Sequence, residues 1–522
     1  MDVGTHRSDA LDRGTILALV AMALAVFLIA NDFTALSVAL PNIETEFDSD
    51  VSTVQWVING YALVFGVFIV TGGRLADMFG RRRLFFVGAG IFAAFSAVAA
   101  AAPSLGVLLA ARALMGVGGA IMWPAVLGMT FAALPAKKAG LAGGLVLGVA
   151  GIGNAFGPLL GGFLTDALSW RWVFVINLPV AAIACFVTWR EIHQPEAAEA
   201  DDRIDYGGVV TLTLSLVALL VALDEVTELG WGDPVIIALL VVFVVALAAF
   251  VVVERRMGRN ALVPRDVMSN TGFRAACVAV LFTAGTFFAS LLYLPQFFQK
   301  LLDASPLEAG LALLPLMATF GVVSFVAGTL YERLGAKPIL SAGVGLLFVG
   351  ILLLSLLDRG AGYLSTVPGM VVLGVGFGLF ISTITTAAVT SLDPSRASLG
   401  GAILYMFQVA GGSVGLAITT TVFTSVAQNH VEEEFRRLGS TASGDEIADV
   451  HGILAGTDSA RQAVEQLPGD AAQIVDLVRD AFMEGLNAAF RLDTALALVS
   501  VVVTVLFVGG RVHLRRRQAV GG

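Results

Sequence analysis

Fourteen stretches of about 20 predominantly apolar residues run along this chain, and each is long enough to cross the hydrocarbon core of a bilayer as a helix. Hydrophobic residues make up 57% of the 522 residues, and charged residues make up 14%. Outside the apolar stretches remain short loops and one long segment, too little for a separate catalytic domain of about 100 to 150 residues. The sequence therefore predicts an all-α integral membrane protein whose function lies within the membrane.

The predicted spans fall into groups of six, two and six. We assign residues 1–190 to an N-terminal six-helix block, 191–273 to a linker with two inserted helices, and 274–522 to a C-terminal six-helix block. The last block includes an acidic segment at about 426–490, whose apolar spacing suggests amphipathic helices. Proline, glycine and charge clusters place the spans at 15–41, 53–73, 83–102, 105–131, 140–166, 171–190, 207–224, 234–253, 274–299, 308–330, 337–357, 365–390, 401–425 and 492–510.

The two six-span blocks resemble each other. Gly73–Gly80 matches Gly328–Gly335 at a shift of 255 residues, and Leu40-Pro41 matches Leu294-Pro295 at a shift of 254. Internal repeats of this kind are typical of membrane transporters. The pattern indicates a duplicated architecture.

The intramembrane charges differ between the two blocks. The same offsets place Asp32 opposite about Thr286, and Arg112 opposite about Met370. We find no mid-span carboxylate in spans 9 to 14. The sequence therefore predicts that the coupling chemistry lies in the first block.

Lysine and arginine predict the orientation. Of the 31 basic residues, 22 lie on one side of the predicted spans and 8 on the other, with Arg112 inside a span. The positive-inside rule then predicts cytoplasmic termini and an external acidic segment. The net charge of −9, without a basic face, argues against a nucleic-acid partner. The sequence contains no Gly-x-x-x-x-Gly-Lys-Ser/Thr phosphate loop, so we expect no ATP to be used.

Asp32 is the leading candidate for a proton site. It lies in span 1 within Ala30–Thr34, and an ionised Asp at membrane depth costs about 2.5 to 3.5 kcal/mol on insertion scales. Such residues usually face a cavity and serve a function. The alternative is a structural Asp neutralised by Arg112 or bonded to the backbone. Arg112 keeps its proton, so it either tunes the carboxyl group or forms an ordinary buried ion pair.

The loop between spans 2 and 3 is a candidate gate. Its glycines allow a tight turn, and its acidic residue can sit against the positive N-terminus of a neighbouring helix. A charge latch is one interpretation, and a positively charged loop with no moving role is the other. The candidate gating residues are Gly73, Asp77, Gly80, Arg81, Arg82 and Arg83.

Span 5 carries six glycines and a proline between positions 148 and 162. Small residues permit close helix contacts in lipid, and proline opens the backbone hydrogen-bond ladder. The span is therefore a candidate hinge or seal between halves, or simply a tightly packed helix. The residues that we single out are Gly148, Gly157, Pro158, Gly161 and Gly162.

Polar and aromatic residues in other spans are candidates for lining a substrate cavity, although Trp and Tyr also serve as interfacial anchors. All five histidines fall outside the spans, which argues against a histidine proton relay. The two cysteines lie in apolar stretches and are interpreted as buried thiols, so we expect no metal site. The candidate cavity residues are Gln55, Trp56, Tyr61, Asn154, Tyr293, Gln296, Tyr405 and Gln408.

With these motifs the chain resembles the major facilitator superfamily, specifically its fourteen-helix drug:proton antiporter branch. The Gly-Arg loop alone would indicate only the superfamily, whereas the Gly-Pro motif of span 5 is associated with exporters. The resemblance covers nearly the whole chain and is carried by Asp32–Pro41, Gly73–Arg83, the stretch around Arg112, Gly157–Gly162 and Trp170–Pro179.

The resemblance implies alternating access between two six-helix bundles, with helices 7 and 8 inserted between them and protons entering as substrate leaves. It also implies roles for named residues. Asp32 would bind the proton or a substrate cation, and Arg112 would modulate its proton affinity. Asp77 and Arg81 would latch the inward-closed side, and Gly157-Pro158 would control the bundle interface.

One position departs from the family pattern, since Met78 stands where Arg or Lys is usual, and this weakens the expected latch. We expect one proton per cycle at Asp32. The predicted function is a proton-coupled multidrug exporter in the plasma membrane that moves amphipathic or cationic compounds and uses the proton gradient, without a cofactor. The alternatives are an exporter with a narrow cargo, such as a lipid, siderophore or secondary metabolite, and a non-transporting membrane sensor. No span carries paired carboxylates or a nucleophile motif, so an enzyme is not expected.

Overall fold

The computed structural model describes residues 12–49, 51–192, 204–258, 261–437 and 471–508, and the regular elements of these residues are helices. Fourteen of the helices are long and apolar enough to cross a membrane, which confirms the predicted fold class. The main helices are α1 (Arg13–Thr34), α2 (Val51–Phe79), α3 (Arg81–Ala100), α4 (Leu105–Ala133), α5 (Ala139–Ala167), α6 (Asn177–Glu191), α7 (Tyr206–Leu229), α8 (Pro234–Met257), α9 (Thr271–Leu301), α10 (Leu314–Leu334), α11 (Ala336–Leu354), α12 (Tyr363–Thr390), α13 (Ala397–Arg437) and α14 (Ala471–Phe507). The sixth of the fourteen membrane-crossing stretches, Trp172–Glu191, joins a short helix to α6.

Short helices connect several of these spans. Because lipid offers no hydrogen-bond partners, a spanning segment must satisfy its backbone groups internally, and irregular backbone is confined to the connections. The short helices are Leu40–Phe47, Trp172–Val175, Arg265–Ser269 and Pro306–Ala312, with single 3-10 turns at Ala35–Val38, Ala136–Lys138 and Pro394–Arg396.

The spanning helices pack as two groups. In the first group α2 and α3 pack on α4, and α1 packs on α5 and α6. In the second, α9 packs on α13 and α14, while α12 packs on α10 and α11. The two groups meet where α5 contacts α10 and where α2 contacts α13.

The inserted helices α7 and α8 form a hairpin on the outside of this junction. Helix α7 contacts α2 and α13, whereas α8 contacts mainly α7. Side chains of α8 such as Val241, Val244 and Val245 are exposed, as expected for a helix whose outer face meets lipid tails. Asp205 and Asp233 cap the two helices, accepting hydrogen bonds from Gly208 N and Val235 N.

The helices that flank the acidic segment are longer than predicted. Helix α13 continues to Arg437 instead of ending at 425, and α14 begins at Ala471 instead of 492. An apolar window stops at the first charged turns, whereas backbone hydrogen bonding continues through them. The described parts of 426–490 are therefore helical extensions of α13 and α14, and the rest of that segment, 438–470, lies outside the described residues.

Candidate functional site

Asp32 and Arg112 form an ion pair in the interior of the first half. The two residues are 1% and 0% exposed, and Arg112 Nη1 donates to Asp32 Oδ2. Asn177 Nδ2 donates to the other carboxylate oxygen, Oδ1, at 3.0 Å. Helices α1, α4 and α6 each supply one of these three side chains, so the pair depends on the packing of the first half alone.

The Arg112 guanidinium is fixed from several directions. Its Nε donates to the carbonyl oxygen of Val57 at 2.8 Å, and its central carbon lies 4.3 Å from the ring centroid of Tyr61. The ring of Phe174 lies 5.8 Å away on another side. Aromatic faces attract a guanidinium electrostatically. These contacts stabilise Arg112 in its position beside the carboxylate.

A polar chain continues from Asn177 into α3. Asn177 Nδ2 also lies 3.1 Å from Ser96 Oγ, and Ser96 Oγ donates to the carbonyl oxygen of Phe174 at 3.0 Å. The Asn31 side-chain oxygen is buried and has no hydrogen-bond partner among the described residues. In this conformation the Asp32 carboxylate therefore has a permanent cation as its partner.

An aromatic cluster adjoins the ion pair and reaches the second half. The ring centroid of Phe33, the residue after Asp32, lies 4.7 Å from that of Tyr61 and 5.2 Å from that of Phe65. Tyr405 of α13 lies 5.6 Å from Phe65 and 5.0 Å from Trp123 of α4. We call these five residues the aromatic cluster. It joins α1, α2 and α4 of the first half to α13 of the second.

The predicted cavity residues do not form one group. Tyr61 and Tyr405 belong to the aromatic cluster, whereas Tyr293 is 1% exposed inside the second half, where its hydroxyl lies 2.9 Å from Thr420 Oγ1. Gln55 is exposed at the start of α2. The remaining candidates are half-buried: Trp56, Asn154, Gln296 and Gln408.

Sequence reasoning missed Phe33, Phe65 and Trp123 as members of the aromatic cluster. Phe65 follows Tyr61 at the i, i+4 spacing that places two side chains on one helix face, and this signal was available. Trp123 lies just before the proline inside α4, and its place beside Tyr405 depends on how the two halves meet. Only the tertiary structure provides that contact.

Asp77 lies at the N-terminus of α13. Its Oδ2 accepts a hydrogen bond from Leu399 N at 2.8 Å, and its Oδ1 accepts from Ser398 N at 3.3 Å. Arg81 Nη2 lies 3.2 Å from Asp77 Oδ1. A carboxylate at a helix N-terminus satisfies free backbone N–H groups and interacts favourably with the helix dipole. The residues predicted as a loop lie in the last turns of α2 and the first turn of α3, with Gly80 alone between the two helices. The end of α2 thus caps a helix of the second half.

Arg81 adds two further bonds at this crossing. Its Nη1 donates to the carbonyl oxygen of Gly128 at 3.1 Å, and its Nη2 donates to that of Pro394 at 2.6 Å. Gly80 has a φ of 97°, a conformation that favours glycine, and a Cβ on Gly73 would lie 2.6 Å from that of Ala402. Both glycines are therefore required by geometry.

The other members of the loop lie around this centre. Arg82 Nη2 donates to the carbonyl oxygen of Trp189 at 3.1 Å, and Arg83 is exposed on the first turn of α3. Met78 is 5% exposed. A basic side chain at position 78 would therefore have to leave this buried position.

The second half carries a matching contact. Glu332, which the sequence repeat aligns with Asp77, accepts a hydrogen bond from Leu141 N in the first turns of α5 at 3.3 Å. Gly140 and Gly328 approach so closely that a Cβ on either would overlap the backbone of the other. The two halves therefore close on each other at the arginine-rich end, by which we mean the end formed by the α2–α3, α4–α5, α10–α11 and α12–α13 connections.

One face of α5 packs on α1. A Cβ on Gly157 would overlap the side chain of Thr34, and a Cβ on Gly161 would overlap the backbone of Ala35. Thr34 Oγ1 also donates to the carbonyl oxygen of Asn154 at 3.0 Å. These glycines allow two helices of the same half to approach at backbone distance.

The opposite face of α5 meets the second half. Gly148 packs under the ring of Phe325, which a Cβ would overlap. Pro158 and Gly162 face the short helix Pro306–Ala312 at ordinary contact distance. The α5 motif therefore lies between α1 and the second half, the position that a hinge or a seal needs.

The prediction that spans 9 to 14 carry no mid-span carboxylate is wrong, because Asp493 lies near the middle of the span Asp476–Phe507. Asp493 of α14 is 0% exposed. The predicted span began at 492, so Asp493 fell at its edge, whereas α14 begins at Ala471. The charged turns before 492 had masked the start of the helix.

The chain matches the family model of the Major Facilitator Superfamily over residues 22–416. It belongs to this superfamily of transporters. The resemblance seen in the motifs is thereby confirmed. The fourteen apolar helices of the described residues make the chain a multi-pass membrane protein.

Several relatives cover most of the chain. It is 34% identical to the puromycin resistance protein pur8 of Streptomyces alboniger, over 83% of this chain and 86% of that protein. It is 32% identical to the multidrug resistance protein Stp of Mycobacterium tuberculosis, over 82% of this chain and 79% of that protein. It is 30% identical to the tetracenomycin C resistance and export protein of Streptomyces glaucescens, over 93% of this chain and 90% of that protein.

A solved structure shares the fold. The human organic anion transporter MFSD10 superposes with a TM-score of 0.62, covering 94% of this chain and 99% of that one at 12% identity. At that identity the likeness concerns the fold alone.

Proposed function

We propose that this protein is a proton-driven exporter of small amphipathic or cationic compounds, including drugs and antibiotics. The observation that carries the proposal is the buried Asp32–Arg112 pair beside an aromatic cluster that joins the two halves. The names of the relatives, which refer to multidrug resistance and antibiotic export, support the same class of cargo.

The aromatic cluster suits this cargo. Aromatic faces provide a large apolar surface, and they attract cations. Tyr405 lies on α13 and Trp123 on α4, so a movement of one half against the other changes the distance between them. A flat, hydrophobic cation bound between these rings would be released as Tyr405 and Trp123 move apart.

The Asp32–Arg112 pair supplies a means of coupling. Protonation of Asp32 removes the negative partner of Arg112, and the uncompensated guanidinium then favours a different packing of α1, α4 and α6. Breaking a buried pair by removing one partner costs about 3 to 5 kcal/mol, enough to alter the balance between two conformations. We propose that the proton and the substrate alternate at this site.

The proton gradient is a sufficient source of energy. One unit charge that crosses 100 mV yields about 2.3 kcal/mol, while a tenfold concentration gradient costs about 1.4 kcal/mol. If the cargo is a monovalent cation, one-for-one exchange moves no net charge, and the pH gradient alone drives it. We propose no ATP and no bound cofactor.

The proposed location is the plasma membrane, with both termini and the arginine-rich end in the cytoplasm. The excess of basic residues on that side supports this orientation. With this orientation, the contacts of Asp77 and Glu332 close the cytoplasmic side. The conformation is then inward-closed, and its latch is formed by the end of α2 and the start of α3.

The test is dye export from inverted or reconstituted vesicles under an imposed pH gradient. Wild type is compared with Asp32→Asn at matched expression, and Asp358→Asn, an exposed acid in the α11–α12 connection, is the control. We expect gradient-driven export by wild type and by the control, and its loss in Asp32→Asn with binding retained. Unchanged export by Asp32→Asn would contradict coupling at this residue.

The breadth of cargo is a separate outcome of the same assay. Two relatives are named for a single antibiotic, puromycin or tetracenomycin C, which favours a narrow cargo as the second candidate. Export of several unrelated dyes supports the multidrug proposal. Export of one compound class from a broad panel supports the narrow one.

A further inference from the structure

Asp493 is a buried carboxylate that the proposed coupling mechanism does not use. It lies on α14, 0% exposed, and Thr419 Oγ1 of α13 donates to its Oδ1 at 2.9 Å. Its second oxygen, Oδ2, is buried and has no hydrogen-bond partner among the described residues. The described residues also provide no ion pair for it.

The sequence repeat relates the surroundings of Asp493 to those of Asp32. In the first half, Asp32 of α1 is bonded by Asn177 of α6. The repeat aligns Asp32 with Thr286 of α9, and Thr286 Oγ1 lies 3.4 Å from the backbone carbonyl oxygen of Asp493 on α14. The α1–α6 contact is thus repeated as an α9–α14 contact. Asp32 lies on the first helix of its half, whereas Asp493 lies on the last helix of the other half.

The two acids differ in their partners. Asp32 is paired with Arg112, whereas the repeat places Met370, 0% exposed, opposite Arg112. Among the residues that the structure describes, no guanidinium therefore competes with a proton at Asp493. An isolated buried carboxylate is strongly disfavoured, and a proton bound at Oδ2 removes its charge.

Other titratable groups of the packed helices lie farther away. Tyr293 lies two helical turns after Thr286 on α9, and its hydroxyl donates to Thr420 Oγ1 at 2.9 Å. Arg274 and Lys300 of α9 lie roughly 20 Å from Thr286 along the helix axis, and His430 of α13 lies about 16 Å from Thr419.

The charged groups nearest in sequence are also directed elsewhere. Arg491 of α14 is exposed, and Lys337 lies in the first turn of α11, at its arginine-rich end. The described neighbours that bond Asp493 are the hydroxyls of Thr419, on the carboxyl group, and of Thr286, on the backbone carbonyl oxygen. A hydroxyl can donate to a carboxylate or accept from a carboxylic acid.

We propose that Asp493 is a second proton-binding site, related by the internal repeat to the Asp32 site and free of an arginine partner. A proton from water bonds to Oδ2 and converts the carboxylate into a carboxylic acid. The reverse step returns the proton. This inference deepens the proposed proton-coupled export, and only its transport test rests on that proposal.

The first test needs no transport. The full chain in lipid nanodiscs is titrated from mildly acidic to mildly alkaline buffer, and the infrared C=O band of protonated carboxyl groups is recorded. We expect a titrating band that is absent from Asp493→Asn and present in Asp32→Asn. The matched control is Glu484→Gln, an exposed acid on the same helix, which should keep the band.

A second variant keeps this test decisive. Thr419→Val removes the hydroxyl that bonds Oδ1, so the band should persist at a shifted frequency. Identical spectra for wild type and Asp493→Asn at every pH would overturn the inference. So would a band that stays at full strength in alkaline buffer, because a proton that never leaves cannot be exchanged.

The second test measures the proton:substrate ratio in reconstituted vesicles. With two proton sites we expect a ratio above one in wild type, in place of the single proton per cycle predicted from the sequence. The ratio should fall by about one proton in Asp493→Asn, with substrate binding retained. An unchanged ratio would overturn a transport role for Asp493. If wild type exports nothing under a pH gradient, the proposed function fails, and the infrared titration still decides whether Asp493 binds a proton.

Discussion

The Asp77 carboxylate lies 2.8 Å from the backbone nitrogen of Leu399, so the last turn of α2 in the first half caps the first turn of a helix in the second. Glu332 makes the corresponding contact with Leu141 N in the opposite direction, at 3.3 Å. Two carboxylates, one from each repeat, therefore hold the arginine-rich end closed by neutralising the N-termini of α13 and α5.

Asp77→Ala should open this end more often. Loss of a helix cap costs about 1 kcal/mol, and a change of one to two kcal/mol alters an equilibrium about 5- to 30-fold. We expect an Ala402→Cys reporter, placed at a buried position of α13 that packs on Gly73, to react about fivefold faster with a maleimide. The reporter background has Cys185 and Cys277 replaced by alanine.

Glu332→Ala is the matched comparison for this prediction. Its hydrogen bond is longer and exposed, so its effect on the same reporter should be smaller. Equal labelling rates in Asp77→Ala and the parent would show that the cap does not hold the closed state.

Gly140→Ala should prevent the close approach of α5 and α10. A Cβ at this position would overlap the backbone of Gly328, and overpacking costs about 1 to 3 kcal/mol. We expect a lower melting temperature for the purified protein and slower export. Gly90→Ala on α3 is the control, because a Cβ there would have nothing within 4 Å, and alanine is the better helix former. A loss of stability in both variants would point to helix flexibility instead of the interface.

Substitutions of the Asp32–Arg112 pair should be strongly non-additive. Arg112→Met leaves a buried carboxylate without its cation, which costs about 3 to 5 kcal/mol, and methionine is the residue that the repeat places at position 370. Adding Asp32→Asn to Arg112→Met should recover much of the lost stability. Thermal unfolding of the two single variants and the double variant measures this coupling, and additive effects would mean that the two groups do not interact energetically.

The sequence predicted the helices well because lipid imposes a simple rule on them. A spanning helix must be apolar over about 20 residues, and the fourteen apolar stretches obey this rule. The ends of α13 and α14 were missed because their outer turns are charged and only hydrogen bonding keeps them helical. Asp493 was lost with the first turns of α14.

The candidate site was predictable where a residue contradicts its surroundings. Asp32 and Arg112 are charged residues in apolar stretches, and the structure brings them into contact. Only Tyr61 and Tyr405 of the aromatic cluster were predicted as candidates, because Tyr405 contacts Trp123 across the two halves. Tyr293 looked like a cavity residue by type, yet it lies inside the second half. Sequence distance carries no information about which face of a buried helix meets the other half.

The contact of Glu46 with Trp170 and Arg171 lies at the opposite end from the Asp77 crossing. Trp170 Nε1 donates to Glu46 Oε2 at 2.7 Å, and Arg171 Nη1 donates to Oε1 at 2.6 Å. Burial alone would raise the pKa of the Glu46 carboxyl, but these hydrogen bonds and the charge on Arg171 outweigh it and hold the pKa below its ordinary value of 4.5. The carboxylate form is therefore the one that stabilises this contact.

The pH dependence of this contact follows from the lowered pKa. The stabilisation by Glu46 is fully present above pH 4.5 and is lost as the pH falls through the lower pKa of the folded state. We expect the indole N–H resonance of Trp170, identified with Trp170→Phe in ¹⁵N-tryptophan-labelled protein, to stay constant near neutral pH and to move only in acid. Glu46→Gln should remove this acid transition, because the amide does not titrate. A transition that persists in Glu46→Gln would assign it to another carboxyl group.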